Sequence, residues 1–323
     1  MSSSTSNSDQ GPGALLVRAA GFAALVLLPL MALLLWGPPV TPVDYLEAVK
    51  AKHARLRSLG SPKVVLVGGS NMAFGMDSGE LENVLCLPVV NMGIHAGLGF
   101  RHMVDEVKYE LGPGDLVLVS LEPSNVARPE KQGDVHYQLI DRLPWTLGLM
   151  PWMDRPRLVM GVAVLRAQSL WRKLRGKWRG DGGHPLYRAD GFDSRGDMLA
   201  HLALPKPVEL ESDGLDDDAP PVGRGTLRIA RELVTSAEAR GAQVVFLWPC
   251  QAETGFDASR AKAIQEAFDE AAIPWIGRAG DHVFPDSAFH DTRYHPRAWG
   301  RAQRTAITVR DLCAFAPAWC CAE

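Results

Sequence analysis

The chain lacks the marks of most cofactor and metal chemistries. Its 323 residues hold no Gly-x-Gly-x-x-Gly fingerprint, no Walker loop, no His-Glu-x-x-His and no His-x-His. Dinucleotide, nucleotide and metal chemistry therefore find no support, and neither a cofactor nor a metal is expected. An excess of one charge is missing too: a formal net charge of -3 argues against a general nucleic-acid binder. Cysteine is scarce, with five residues (Cys86, Cys250, Cys313, Cys320, Cys321), no Cys-x-x-Cys pair and no histidine at zinc-ligand spacing. Cys313 with Cys320 or Cys321 suits a small disulfide loop in an oxidising compartment; unpaired thiols are the alternative.

Long hydrophobic runs are also few, and the one present is informative. Ala19–Trp36 carries no charge and is dominated by Leu, Ala and Val, long enough to span a bilayer. No small-x-small cleavage site follows; Trp36-Gly-Pro-Pro-Val-Thr-Pro reads as a helix stop with an interfacial Trp. The segment is read as an uncleaved signal anchor rather than a cleaved signal. Arg18 on one flank and Lys50, Lys52 and Arg55 on the other leave topology undecided by charge. Residues 1–18 are expected to be a disordered segment, 19–36 the transmembrane anchor, 37–62 a linker and helix, and 63–323 the folded domain. An apolar content of 46% supplies an ample core.

The domain alternates short apolar runs with amphipathic stretches. Val43–Leu59 predicts a helix, Val64–Val67 a buried strand, Ser78–Leu85 a short helix and Leu87–Met92 a second strand. Leu98–Leu111 has helical spacing, and Asp115–Leu121 predicts a third strand. Regularity fails from 127 to about 223 and returns as a helix (Thr226–Ala239), a strand (Ala242–Trp248), a helix (Asp257–Ala272), a strand (Ile273–Ile276) and a last helix from Arg297. This order predicts an α/β fold, a doubly wound, mostly parallel sheet with a large insertion at 127–223. Six cations around Trp171, in Arg166–Arg179, suit anionic lipid or an acidic glycan. They are read instead as a solvated helix face with Trp packed inward, since the anchor already supplies membrane attachment. An acidic stretch, Glu209–Asp218, follows.

In such a sheet, reactive groups gather where the strands end at their carboxyl side. Ser70 follows the first strand on a Gly-Gly turn, Asn91–Gly99 the second, and Glu122–Asn125 the third. Asp291-Thr-Arg-Tyr-His295-Pro precedes the last helix. A serine hydroxyl becomes a nucleophile once a base takes its proton and a carboxylate orients that base, and these segments bring all three types to one rim. His290 competes with His295 as the base. His95 and Glu122 are candidate substrate contacts, with a hydrogen-bonded loop histidine and a solvated carboxylate as the plainer readings. Arg293 suits an anionic glycan or simple exposure. His102 reads as structural.

These blocks resemble those of the SGNH (GDSL-like) hydrolase superfamily, which contribute Ser, Gly, Asn and His in that order. Val64–Asn71 (VVLVGGSN) resembles the first, with Gly69 and Asn71 where the family has Asp and Leu. Val-Val-Asn91-Met-Gly93-Ile-His-Ala-Gly97 is similar to the second and Leu116–Asn125 to the third. Asp291–Pro296 resembles the last, with one residue more between acid and base than Asp-x-x-His. The altered first block, with an anchor, is similar to membrane-attached proteins that O-acylate envelope polysaccharides, such as alginate acetylation and teichoic-acid D-alanylation proteins; Tyr187–Leu202 also resembles a segment of these.

The resemblance implies a flavodoxin-like SGNH fold, with Ser70 as nucleophile, His295 as base and Asp291 as its orienting acid. The oxyanion would be met by the Ser70 N–H, an N–H of the Gly93–Gly97 turn (Gly97 rather than Gly93) and the Asn125 amide; Asn71, His95, Glu122 and Arg293 would contact substrate. It implies a serine esterase or O-acyltransferase acting on glycan esters from the cytoplasmic membrane, facing the periplasm or exterior, with a membrane-bound O-acyltransferase as a partner for transfer. An anchored, non-catalytic glycan-binding or assembly protein is the competing class.

Overall fold

The computed structural model describes residues 12–41, 44–176, 185–205, 209–211 and 218–321. Helix α1 (Pro12–Trp36) is followed by α2 (Ala48–Ser58), β1 (Val64–Gly68), α3 (Ser70–Gly75), α4 (Ser78–Leu85), β2 (Val89–Asn91), α5 (Gly99–Val107) and β3 (Leu116–Ser120). Next come α6 (Pro123–Ala127), α7 (Asp134–Arg142) and α8 (Arg155–Leu174), then α9 (Thr226–Glu238), β4 (Gln243–Leu247), β5 (Gln251–Ala252), α10 (Ala258–Glu270), β6 (Trp275–Ile276), β7 (Val283–Phe284) and α11 (Ala298–Phe315).

Five strands form one sheet in the order β2-β1-β3-β4-β6, and all four pairings are parallel. The central pair is in register from Val64 opposite Leu116 to Gly68 opposite Ser120. Every residue of β1 and β3 is buried, as expected of parallel strands covered by helices on both faces. Val65, Val67, Val117 and Phe246 pack against Phe100 of α5, Leu233 of α9 and Phe268 of α10. The alternate residues Val64, Leu66, Leu118 and Val245 pack against Met72 of α3, Leu81 of α4 and Leu312 of α11. Each such side chain stabilises the fold by roughly 1.5–3 kcal/mol. The chain leaves β1 for β2 on one side and returns to β3 on the other, so loops part at their carboxyl ends and open a crevice. β5 and β7 form a separate parallel pair.

Several boundaries differ from expectation. α1 begins at Pro12, so 12–18 of the expected disordered segment is helical; residues 1–11 lie outside the described residues. The predicted Val43–Leu59 helix is a short 3-10 turn at Tyr45–Glu47 followed by α2, and Val43 lies outside the described residues. The insertion is not irregular throughout, because α7 and the 20-residue α8 lie within it. α8 escaped detection because it is apolar on two sides, which blurs helical periodicity. Trp171 is 56% exposed rather than packed inward. Of the same cluster, 177–179 lie outside the described residues, as do 212–217 of the acidic stretch. Cys313 pairs with Cys320, and Cys86 with Cys321, leaving Cys250 as a buried thiol; the second pairing was not anticipated.

α1 is long and apolar enough to cross a membrane. Its carboxyl end is held by Arg166 of α8, which donates to the carbonyls of Leu33 (3.4 Å), Leu34 (2.7 Å) and Gly37 (3.3 Å) and pairs with the buried side chain of Asp141. Four carbonyls at a helix end lack intrahelical partners, and the guanidinium supplies donors to some of them.

Candidate active site

The crevice is a cavity of about 480 Å³, lined by Ser70, His95, Gly97, Glu122, Asn125 and His295 among others. Four segments separated by up to 225 positions thus meet at one rim.

Ser70 opens α3 directly after β1. The turn before it needs glycine for close approach rather than for a special φ. A Cβ on Gly69 would lie 2.9 Å from the Ala96 Cα, and one on Gly93 2.7 Å from the Ala73 nitrogen. Two rim turns therefore touch backbone to backbone. Arg304 of α11, wholly buried, fixes this turn from below. It donates to the Asn71 carbonyl, to Asn71 Oδ1 (3.0 Å) and to Ser120 Oγ (2.8 Å).

His295 Nδ1 and Asp291 Oδ1 are 2.8 Å apart, so the carboxylate fixes the ring with Nδ1–H toward it and leaves Nε2 for proton exchange. Phe74, fully buried on α3, the helix that begins with Ser70, stacks on the ring at 3.8 Å and 8°. The Tyr187 hydroxyl donates to the other oxygen, Asp291 Oδ2, at 2.6 Å. Burial pushes the Asp291 carboxyl up, but the His295 imidazole and the Tyr187 hydroxyl outweigh it and hold the group well below the carboxylate range. Burial, with the Asp291 charge beside it, pushes Tyr187 well up. The acid thus stays ionised and its phenol partner stays protonated.

The Ser70 hydroxyl lies 3.4 Å from Glu122 Oε1, which also accepts from the Asn71 N–H at 3.2 Å. In this state the serine proton is aimed at Glu122 rather than at the imidazole. Two of the three donors expected for an oxyanion are also engaged: the Gly97 N–H donates to His95 Nδ1 (2.8 Å) and the Asn125 amide to the Ala96 carbonyl (2.7 Å). An amide has two hydrogens, so Asn125 retains one donor; Gly97 has none left. Burial, then the neighbouring His295 and Lys131, lowers His95 to about 4. The ring is neutral near pH 7, and since Nδ1 accepts, its proton sits on Nε2.

Two residues expected at the substrate do not line the cavity. Asn71 is fully buried, its amide spent on Ser120 and its oxygen on Arg304. Arg293 lies beside Gly255, where a Cβ would meet its Cδ at 2.5 Å. His290 is buried behind the pair, giving its backbone N–H to the His295 carbonyl, and its ring faces His201 at 6.0 Å. It does not line the cavity. His102 is buried on α5, 3.5 Å from Glu106.

Tyr187, Phe74 and Arg304 were missed as site residues. Tyr187 alone had a signal, opening the singled-out segment Tyr187–Leu202. That segment braces the rim: Met198 donates its N–H to the Ala73 carbonyl (2.8 Å), and Asp197 accepts from Ser78 Oγ (2.6 Å), Asn91 Nδ2 (2.8 Å) and Arg301 (2.7 Å). With Lys131, Val135 and Gln138, the insertion also forms a cavity wall. No protein-family model matches the chain, and no curated protein matches it.

Proposed function

We propose that the protein is a membrane-anchored serine esterase or O-acyltransferase of SGNH type, acting on acyl esters of glycans outside the cytoplasm. One observation carries the reading: His295, held by Asp291 at 2.8 Å, lines the same cavity as a serine at a strand-end turn. Ser70 would turn from Glu122 toward His295 and pass its proton to Nε2 as Oγ bonds to the acyl carbon. The imidazolium then protonates the leaving alcohol as the ester C–O bond breaks. Water or a sugar hydroxyl, deprotonated by His295, resolves the acyl-enzyme and restores the serine. The His95 Nε2–H and the second Asn125 hydrogen supply donors at the rim. For transfer, a membrane-bound O-acyltransferase is the partner that would bring acyl groups across the bilayer. Extracytoplasmic location accords with the two cysteine pairings.

A second reading, an anchored glycan-binding or assembly protein without turnover, is favoured by the engagement of Ser70 with Glu122 and of the Gly97 N–H with His95. The test is to incubate the protein with an acetylated aryl ester, with and without oligosaccharides, and to analyse the Ser70 peptide and the sugars by mass spectrometry. Acetyl on Ser70 and new sugar ester support transfer; free acetate at a rate indifferent to acceptor supports hydrolysis. Glycan binding with an unmodified Ser70 and no acetate released would leave the non-catalytic reading.

A further inference from the structure

Outside α1, exposed large apolar side chains concentrate between Trp145 and Leu174. On α8, Met153 just before it and Met160, Val164, Trp171 and Leu174 within it recur at spacings of 7, 4, 7 and 3 residues, which places them on one helical face. The opposite face is already used: Leu158 and Val162 pack with Ile140, Met150 and Leu34, and Arg166 holds the end of α1. The stripe is therefore not core surface left uncovered by an end effect. α8 has no carboxylate, while Arg157, Arg172, Lys173 and Arg175 are exposed along it, and the Arg175 guanidinium lies 4.3 Å over the Trp171 ring.

We infer that α8 lies in the surface of the same bilayer that α1 crosses, with its apolar stripe in the headgroup–acyl boundary and its cations on anionic headgroups. Position argues for lipid. α8 is bonded to the point where the apolar span ends, beside Trp36, which is 80% exposed; an interfacial Trp marks that level. Charge argues for it too, because an apolar stripe on a helix whose charged residues are all cations complements an anionic lipid surface. A consequence reaches the cavity. α7 packs on α8 and contributes Val135 and Gln138 to the cavity wall, so the site is held about one helix diameter, ~10 Å, from lipid. Such placement suits an acyl donor or acceptor carried by the membrane. The inference rests on α1 as a span, not on the chemistry at Ser70.

The test uses the full chain in vesicles of phosphatidylcholine with about one part in four phosphatidylglycerol, and in its native membrane. p-Benzoylphenylalanine replaces Met160, Trp171, Leu25 of α1 or the exposed Lys262 of α10, one at a time, and photo-adducts are identified by mass spectrometry. Lipid adducts at 160 and 171 are expected within about threefold of those at 25, and at least about tenfold above those at 262. Arg172→Glu with Lys173→Glu should cut the yield at 171 by about fivefold. Lipid at 25 with only background at 160 and 171 would overturn the inference while sparing the span, and so would adducts there to another protein. Background at 25 as well would remove both. Acyl turnover is not measured, so these outcomes are independent of the proposed activity.

Discussion

The rim and α8 differ in almost every respect that burial can express. At the rim, irregular backbone is tied down by polar partners: Asp197 alone meets Ser78, Asn91 and Arg301, and Arg304 holds Asn71 and Ser120. α8 is a regular helix of 20 residues, yet among the described residues large apolar side chains stay exposed along one face of it. Regular secondary structure is thus no measure of how firmly a segment belongs to the fold. An unbonded donor buried at the rim costs energy in every conformation, whereas an apolar face left out gains only from what lies outside the chain.

Substitutions sharpen this contrast. Ser70→Ala should lower any esterase turnover at least ~10³-fold with the fold intact; His295→Ala should be about as harmful and the double variant hardly worse, since nucleophile and base act as a unit. Activity within tenfold of the parent, measured on an aryl acetate, would remove Ser70 from that role. Asp197→Ala should destabilise by about 3 kcal/mol in chemical denaturation, because Arg301 and Asn91 lose a buried partner. Unchanged stability would mean that the insertion does not brace the rim.

Tyr187→Phe should cost roughly tenfold in kcat/KM with little loss of stability, the scale of one hydrogen bond to a charged group. Its pH–rate profile should move as well, because Asp291 loses a partner that favours its ionised form; a structural role alone would not shift that profile. Stability should also fall with acid. Burial, joined by neighbouring basic groups, lowers His95, His136 and His201 to about 4 from 6.5. The unfolded chain therefore takes up protons first, so this stability is complete above about 6.5 and is lost as pH falls toward about 4. Asp291 acts in the same direction at still lower pH, since its carboxyl is depressed in the fold. Replacing His136 with Gln should flatten the decline in denaturation midpoint between pH 7 and 4.5. The smallest effect belongs to α8: in detergent, Val164→Ala should alter stability by less than about 0.5 kcal/mol, as at exposed sites. A loss near that of a core truncation would show that protein covers the stripe.

Strands β1, β3 and β4 could be read from the chain because a strand buried on both faces is a short, continuous apolar run. The apolar span and the Asp291–His295 spacing were legible for the same reason, being local. Ser70 on its glycine turn was visible as a position, and its engagement with Glu122 was not. Phe74 on His295, Tyr187 on Asp291 and Arg304 beneath Asn71 join positions between 104 and 233 residues apart, or faces of different elements. No periodicity records such meetings. Sequence by itself determined which segments would form the five-stranded sheet, though not the small β5–β7 pair, and which residues carried reactive groups, because propensity and hydrophobic period act over a few neighbours. Only the tertiary structure decided which groups touch, where Asn71 and Arg293 point, and which face of α8 stays bare. Those depend on the packing of helices against a twisted sheet, where each contact is chosen by the shape left by all the others.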